Sequence, residues 1–147
     1  MKPINLLQKQ VSKLEKLQDI VLLLIRLILA YGFYGTAKIK WGNIDGVASW
    51  FQSLHYPFPT LNAYLAATTE ALGVILLTLG LATRIISFPL IVVLIVAILT
   101  VHLGNGFEAG NNGFEIPLYY ILMLLTLITY GSGKFSLDLI MLRKTKS

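Results

Sequence analysis

No cysteine occurs anywhere in the chain. That excludes disulfides, cysteine-ligated zinc, iron–sulfur ligation and thiol redox chemistry by the chain itself. Histidine is nearly as scarce: His55 and His102 are the two present, too few and too far apart in sequence to suggest a metal or haem site. Charge is scarce as well. Only 13% of the 147 residues are Asp, Glu, Lys or Arg, against 56% hydrophobic residues and a mean hydropathy of +0.74. A water-soluble domain of this size needs more charge to cover its surface, so the solvent of this chain is in large part lipid.

Four apolar runs account for that composition, at about 18–38, 61–82, 85–103 and 115–130. The first three approach or exceed the ~20 residues that cross ~30 Å of hydrocarbon, and the fourth is short. Local thinning of the bilayer can complete such a span. The stretch before the first run is long and basic, and no small-residue cleavage pattern follows the run. The expectation is therefore an uncleaved signal anchor rather than a signal peptide.

The formal net charge is +5. Lys2, Lys9, Lys13 and Lys16 precede the first run, Arg84 joins the second to the third, and Lys134, Arg143, Lys144 and Lys146 follow the fourth. The remaining connections hold Lys38 and Lys40 alone. Nine against two is the positive-inside pattern, which is expected to place both termini in the cytoplasm and makes the basicity an insertion signal rather than a nucleic-acid patch.

Residues 1–17 carry Ile4, Leu7, Val11 and Leu14 on one helical face with lysines between, which predicts a basic amphipathic helix on the membrane surface, or a coiled-coil stub. In the first outer connection Asp45 could cap a short amphipathic helix bearing Val47, Trp50, Phe51 and Leu54. Gly131 and Gly133 stop the fourth run, and Ser136 could cap a last short helix inside the tail 131–147. The expected fold is all-α: one domain, a four-transmembrane-helix bundle with an amphipathic N-terminal helix and a short outer helix between spans one and two.

Charges inside the runs raise the question of a site. A charged side chain near the bilayer centre costs roughly 2.5–3.5 kcal/mol on insertion scales, so it usually pairs or faces a cavity. Arg26 lies in span one and Glu70 in the neighbouring antiparallel span two. At 1.5 Å per residue they sit about 9 Å and about 18 Å above the inner boundary. That gap admits a direct ion pair, or a water or ligand between the two. A four-residue stripe joins Arg26, Tyr34 and Lys38, with Tyr31 beside it, and His102 and Glu115 fall at the outer ends of spans three and four. Together they describe a polar funnel open to the outside, with Arg26 as its floor. Packing alone is the competing reading: buried charges fix helix register, and interfacial tyrosines are ordinary.

Several stretches in order resemble the DoxX family of small bacterial membrane proteins: "RLILAYGFYGTAK", "GVASWFQSL", "TTEALGVILLTLGLATR" and "GSGKFSLDLI", covering about Leu22 to Ile140. Two positions depart from the family pattern: a single Gly73 follows the glutamate, and Tyr56 precedes Pro57. The resemblance implies four transmembrane helices and a redox-associated setting, including quinone-dependent oxidation of sulfur compounds and complexes with oxidative-stress enzymes. On that footing a quinone-like carrier is the expected ligand, with Arg26, Tyr34 and Lys38 as hydrogen-bond donors and Glu70 passing protons. Metal, haem and clusters are not expected in the chain, and electrons would come from a partner oxidoreductase. The alternatives are a scaffold that docks a partner, and a small-solute carrier acting as a homo-oligomer.

Overall fold

The computed structural model describes residues 3–144 in backbone and residues 17–141 in side chain. All of its regular structure is helical. Helix α1 (Pro3–Gly42) is followed by α2 (Ile44–Ser53), α3 (Pro59–Leu79), α4 (Thr83–Ala97), α5 (Glu115–Tyr130) and α6 (Leu137–Lys144). A π-helical turn (Ile98–His102) and a 3-10 turn (Leu103–Asn105) prolong α4. The segment before span one is not a separate helix: it runs on into α1, forty residues in all, with no proline after Pro3 to interrupt it. The apolar face expected of Ile4, Leu7, Val11 and Leu14 lies outside the described side chains.

Among the described residues, three stretches are long and apolar enough to cross a membrane: Leu17–Gly42, Pro59–Leu79 and Thr83–Asn105. Helix α5 is apolar but, at 16 residues, shorter. Large apolar side chains such as Ile28, Ile85, Phe88 and Val92 point outward, as they do where the surroundings are lipid.

The sequence explains each helix boundary. Asn43, rather than Asp45, caps α2, its side chain accepting from Gly46 N–H at 3.1 Å. Pro59 opens α3 at a position where its missing N–H costs nothing. Gly80, with φ 65°, closes α3 in the left-handed region that glycine enters freely. Ser136 accepts from Leu139 N–H at 3.4 Å at the start of α6.

Helix α3 lies along α1, with α2 and α4 on its other flanks and α5 against α4. On α1 the buried seam is Leu22, Arg26, Leu29, Phe33 and Ala37, and on α3 it is Ala63, Ala67, Glu70, Gly73 and Leu77. These steps of three and four residues follow the helical repeat. The small residues let the backbones approach, which is what holds helices together where burial from water contributes little. At Gly73 the methyl groups of Leu90 lie 2.9 Å from where a Cβ would stand. Leu29, Phe33, Leu77, Leu90, Leu124 and Leu127 fill the centre.

The end of the bundle near α6, here the tail end, is tied by polar contacts. Asp138 Oδ1 accepts from Ala82 N–H at 2.7 Å and Oδ2 from Thr83 N–H at 3.3 Å, while Asp138 N–H donates to Gly80 O at 3.0 Å. The carboxylate thus satisfies the free N–H groups at the start of α4 and holds Ala82, a non-glycine residue at φ 48°. Arg84 donates to Thr129 O at the end of α5, and Lys134 meets Asp19 at 3.0 Å. Asp138→Ala is expected to lower stability by about 1–2 kcal/mol, through loss of an N-terminal cap, with no effect on ligand binding at the other end. Thermal unfolding in detergent measures it.

Candidate functional site

Arg26 and Glu70 do not meet. Arg26 is fully buried, donates from Nη1 to Leu77 O at 3.1 Å and from Nη2 to Phe135 O, and leaves Nε without a partner. It therefore satisfies carbonyls at the C-terminal end of α3 and in the segment leading to α6, a place where the helix dipole favours a cation. Its guanidinium fills the space beside Gly80, where a Cβ would stand 2.2 Å from Nη1. This is a structural tie at the tail end, not the floor of a funnel.

Glu70 pairs instead with Lys40, Nζ to Oε1 at 2.5 Å. Helix geometry explains the exchange. At about 100° per residue, the twelve positions from Arg26 to Lys38 turn about 120° off the buried seam, whereas Lys40, fourteen positions on, returns to within about 40°. A strict four-residue stripe drifts, and the 3.6-residue repeat does not. Side chains also lean toward the N-terminus of their own helix. In antiparallel α1 and α3, Lys40 and Glu70 therefore lean toward each other, while Arg26 leans away. Along α1 the two cations are about 21 Å apart.

Glu70 is 3% exposed and its second oxygen, Oε2, is buried without a partner. Both Lys40 and Glu70 line a cavity of about 690 Å³ in the half of the bundle away from the tail, here the loop half. Its walls are Gly32, Phe33 and Thr36 of α1, Ala66 and Thr69 of α3, Val93 and Ala97 of α4, and Pro117 and Tyr120 of α5. Trp50, Phe51 and Tyr56, from α2 and the chain that follows it, complete the wall, with Asn62, His102 and Asn112 also lining it. Gly32 lets the Tyr120 side chain lie against α1 at the cavity wall: a Cβ there would stand 2.1 Å from Tyr120 Oη. The lining is mainly apolar, with the Lys40–Glu70 pair as its charged element.

The other expected site residues separate. Tyr31 and Tyr34 are 83% and 54% exposed on the outer face of α1, and neither they nor Lys38, also exposed, line the cavity. His102 does line it, with Nδ1 2.8 Å from Asn112 O. Glu115 is engaged in the loop, accepting from Ala109 N–H at 3.0 Å and from Tyr119 Oη at 2.9 Å. Lys40, Thr36, Thr69, Asn62 and Tyr120 were absent from the sequence-derived set. Lys38→Met is accordingly expected to leave both stability and ligand binding unchanged within error, since an exposed lysine near a helix end can reach water; thermal unfolding and ligand titration check it.

Chemically, the cavity can hold an apolar molecule with a polar head. Lys40 has N–H donors beyond the one it gives to Glu70, while Glu70 Oε2 is buried without a partner. A volume of this order suits a small organic ligand or a carrier headgroup.

Comparison with known proteins bears on this site. The DoxX family model matches residues 21–103, which includes α2, α3 and both members of the Lys40–Glu70 pair. An uncharacterised protein of Haemophilus influenzae is 34% identical over 125 residues, 80% of each chain. A Bacillus subtilis protein named "Putative oxidoreductase CatD" is 34% identical over 127 residues, 85% of this chain and 90% of that one. A second uncharacterised H. influenzae protein is 31% identical over 141 residues, 86% of this chain and 95% of the relative. No solved structure matches the chain.

Proposed function

This chain is a multi-pass membrane protein of the DoxX family, and from that premise we propose that it binds a quinone-like carrier in its loop-half cavity and serves a membrane oxidoreductase. The observation that carries the reading is Glu70: a carboxylate 3% exposed, paired on one oxygen by Lys40 and free on the other, at the wall of a mainly apolar cavity. A charge held there at the cost of burial, with unused hydrogen-bonding capacity, is characteristic of an intramembrane binding site. The name of the B. subtilis relative, and no more than its name, adds the oxidoreductase association.

A quinone-like carrier supplies two-electron, two-proton redox chemistry. Lys40 would donate to a ring oxygen and Glu70 would accept from a ring hydroxyl or hold a proton. Trp50, Phe51 and Tyr120 would pack on the ring, and the aliphatic wall would exclude water. Electrons would pass to or from a partner protein.

In this proposal α5 is the fourth span. Its 16 residues reach about 24 Å, and local thinning covers the remainder. Both termini lie in the cytoplasm of a bacterial inner membrane. The nine-to-two distribution of basic residues supports that orientation, the more so because Lys40, one of the two, is bound to Glu70.

Native mass spectrometry of detergent-extracted protein tests the function. The expected result is a co-purifying prenylquinone mass that is absent from the Lys40→Met variant. Co-purification of an oxidoreductase with no carrier bound, from membranes rich in quinone, would favour a scaffold instead.

A further inference from the structure

Helix α1 has an outward face as well as a buried seam, and two of its residues do not suit lipid. Leu17, Val21, Leu24, Ile28, Tyr31 and Gly35 follow in alternating steps of four and three residues, all exposed, on the side away from α3. The spacing alone belongs to any outward helix face. Tyr31 and Gly35 set this face apart. Tyr31, 83% exposed, lies roughly 21 Å along α1 from Leu17 and roughly 17 Å from Gly42. A tyrosine ordinarily sits at a membrane interface with its hydroxyl in water, and from the middle of this span the hydroxyl reaches neither side. Gly35, one turn on, has no described atom within 4 Å of where a Cβ would stand. Glycine inside a helix costs about 1 kcal/mol relative to alanine, and here no close packing within the described bundle offsets it.

We propose that this face is the contact between two copies of the chain, with their α1 helices parallel about a two-fold axis along the membrane normal. Two copies inserted the same way are related by such an axis, so each residue on the contact meets its own counterpart. A phenol hydroxyl both donates and accepts, so one Tyr31 donates to the other. Gly35 lets the two backbones approach beside that bond, the close approach on which helix association in lipid depends. The contact also runs out of the membrane. In sequence the same steps continue back through Leu14, Gln10 and Leu7, with lysines between, and α1 is a single helix over that length. A helix that runs straight on from its span stands off the leaflet, so this apolar repeat has a second copy, not lipid, to pack on. At the other end exposed Lys38 closes the contact, because two like charges do not pack together and each can reach water. The inference is independent of what the cavity holds, since none of the six residues on this face lines it.

The lack of cysteine makes the test direct. Val21→Cys, Leu24→Cys and Ile28→Cys on the proposed contact, and Ile85→Cys and Phe88→Cys on the outward face of α4, are oxidised one at a time in membranes of the expressing cells. Cross-linked dimer is expected from the three α1 positions and only background from the two on α4. Dimerisation is then measured in liposomes by energy transfer between labelled chains as the protein is diluted with lipid. Gly35→Leu is expected to weaken it about tenfold or more, with helical content unchanged, and Tyr31→Phe about threefold or more, through loss of one interhelical hydrogen bond. Cross-linking that is equal or stronger at the α4 positions, or wild-type chains that stay monomeric in liposomes, overturns the proposal. Dimerisation untouched by both Gly35→Leu and Tyr31→Phe overturns this face as the contact. The cross-linking decides the point even if either of those variants does not fold.

Discussion

Arg26→Leu is expected to lower stability by about 3 kcal/mol, a fall of about 10 °C in the midpoint of thermal unfolding in detergent. The guanidinium is fully buried and makes two charge-assisted hydrogen bonds, to Leu77 O and Phe135 O. Leucine removes both and leaves a gap beside Gly80. Leu77 O retains Gly80 N–H at 3.3 Å, so it is not stripped entirely, but no replacement donor is evident for Phe135 O. Relief of the buried charge offsets part of the loss, which is why the estimate stays at the lower end of the range for breaking buried charged contacts. Arg26→Lys should recover only part of it, because one ammonium does not reproduce a planar fork that reaches two separate carbonyls. Carrier binding by whatever protein remains folded should be unaffected. A strong loss of binding at preserved stability would return Arg26 to the site.

The second large effect concerns the ion pair. Lys40→Met strands a carboxylate that is 3% exposed, and a loss of about 3 kcal/mol is expected. Glu70→Leu strands a lysine whose side chain is 23% exposed and can swing toward water, so the loss should be smaller. The double change Lys40→Met with Glu70→Leu should recover much of the sum, a coupling of about 1–3 kcal/mol in a double-mutant cycle. The companion cycle of Arg26→Leu with Glu70→Leu should be additive within about 0.5 kcal/mol, because the two share no partner. Coupling in the second cycle and additivity in the first would reverse the pairing described here. Lys40→Met, Glu70→Leu and their double variant should each bind the carrier at least tenfold more weakly.

The contrast between these cycles shows what could be read from the chain. The apolar runs, a short helix between the first two of them and the helix stop at Gly131 were legible because each follows from local chemistry: run length, amphipathic spacing, a glycine at positive φ; the cap of the short helix is Asn43 and not the expected Asp45. Glu70 was legible as well, since a carboxylate inside an apolar run needs a reason. Its partner was not. The four-residue stripe through Arg26, Tyr34 and Lys38 gave a plausible neighbour, but twelve residues of drift carried its far end out of the seam. Lys40 could have been found by following 3.6 residues per turn and by letting antiparallel side chains lean toward one another. Trp50, Tyr56, Asn62 and Tyr120 lie beyond any periodicity argument, because the cavity joins them from α2, the chain that follows it, α3 and α5. Helix α1 also continues through residues 3–17, because the change from polar to apolar composition there requires no break in the backbone.

The claim that the loop-half cavity is the carrier site is tested most directly by photolabelling. Membranes containing the protein are illuminated with a short-tailed quinone bearing an aryl azide, before and after reduction, and the modified residues are located by mass spectrometry. Label is expected on cavity residues such as Trp50, Tyr56, Ala66 and Thr69, displaced by excess unlabelled quinol and lost in Lys40→Met. Label spread over outward-facing residues such as Ile28, Ile85 and Phe88, and not displaced by quinol, would contradict it.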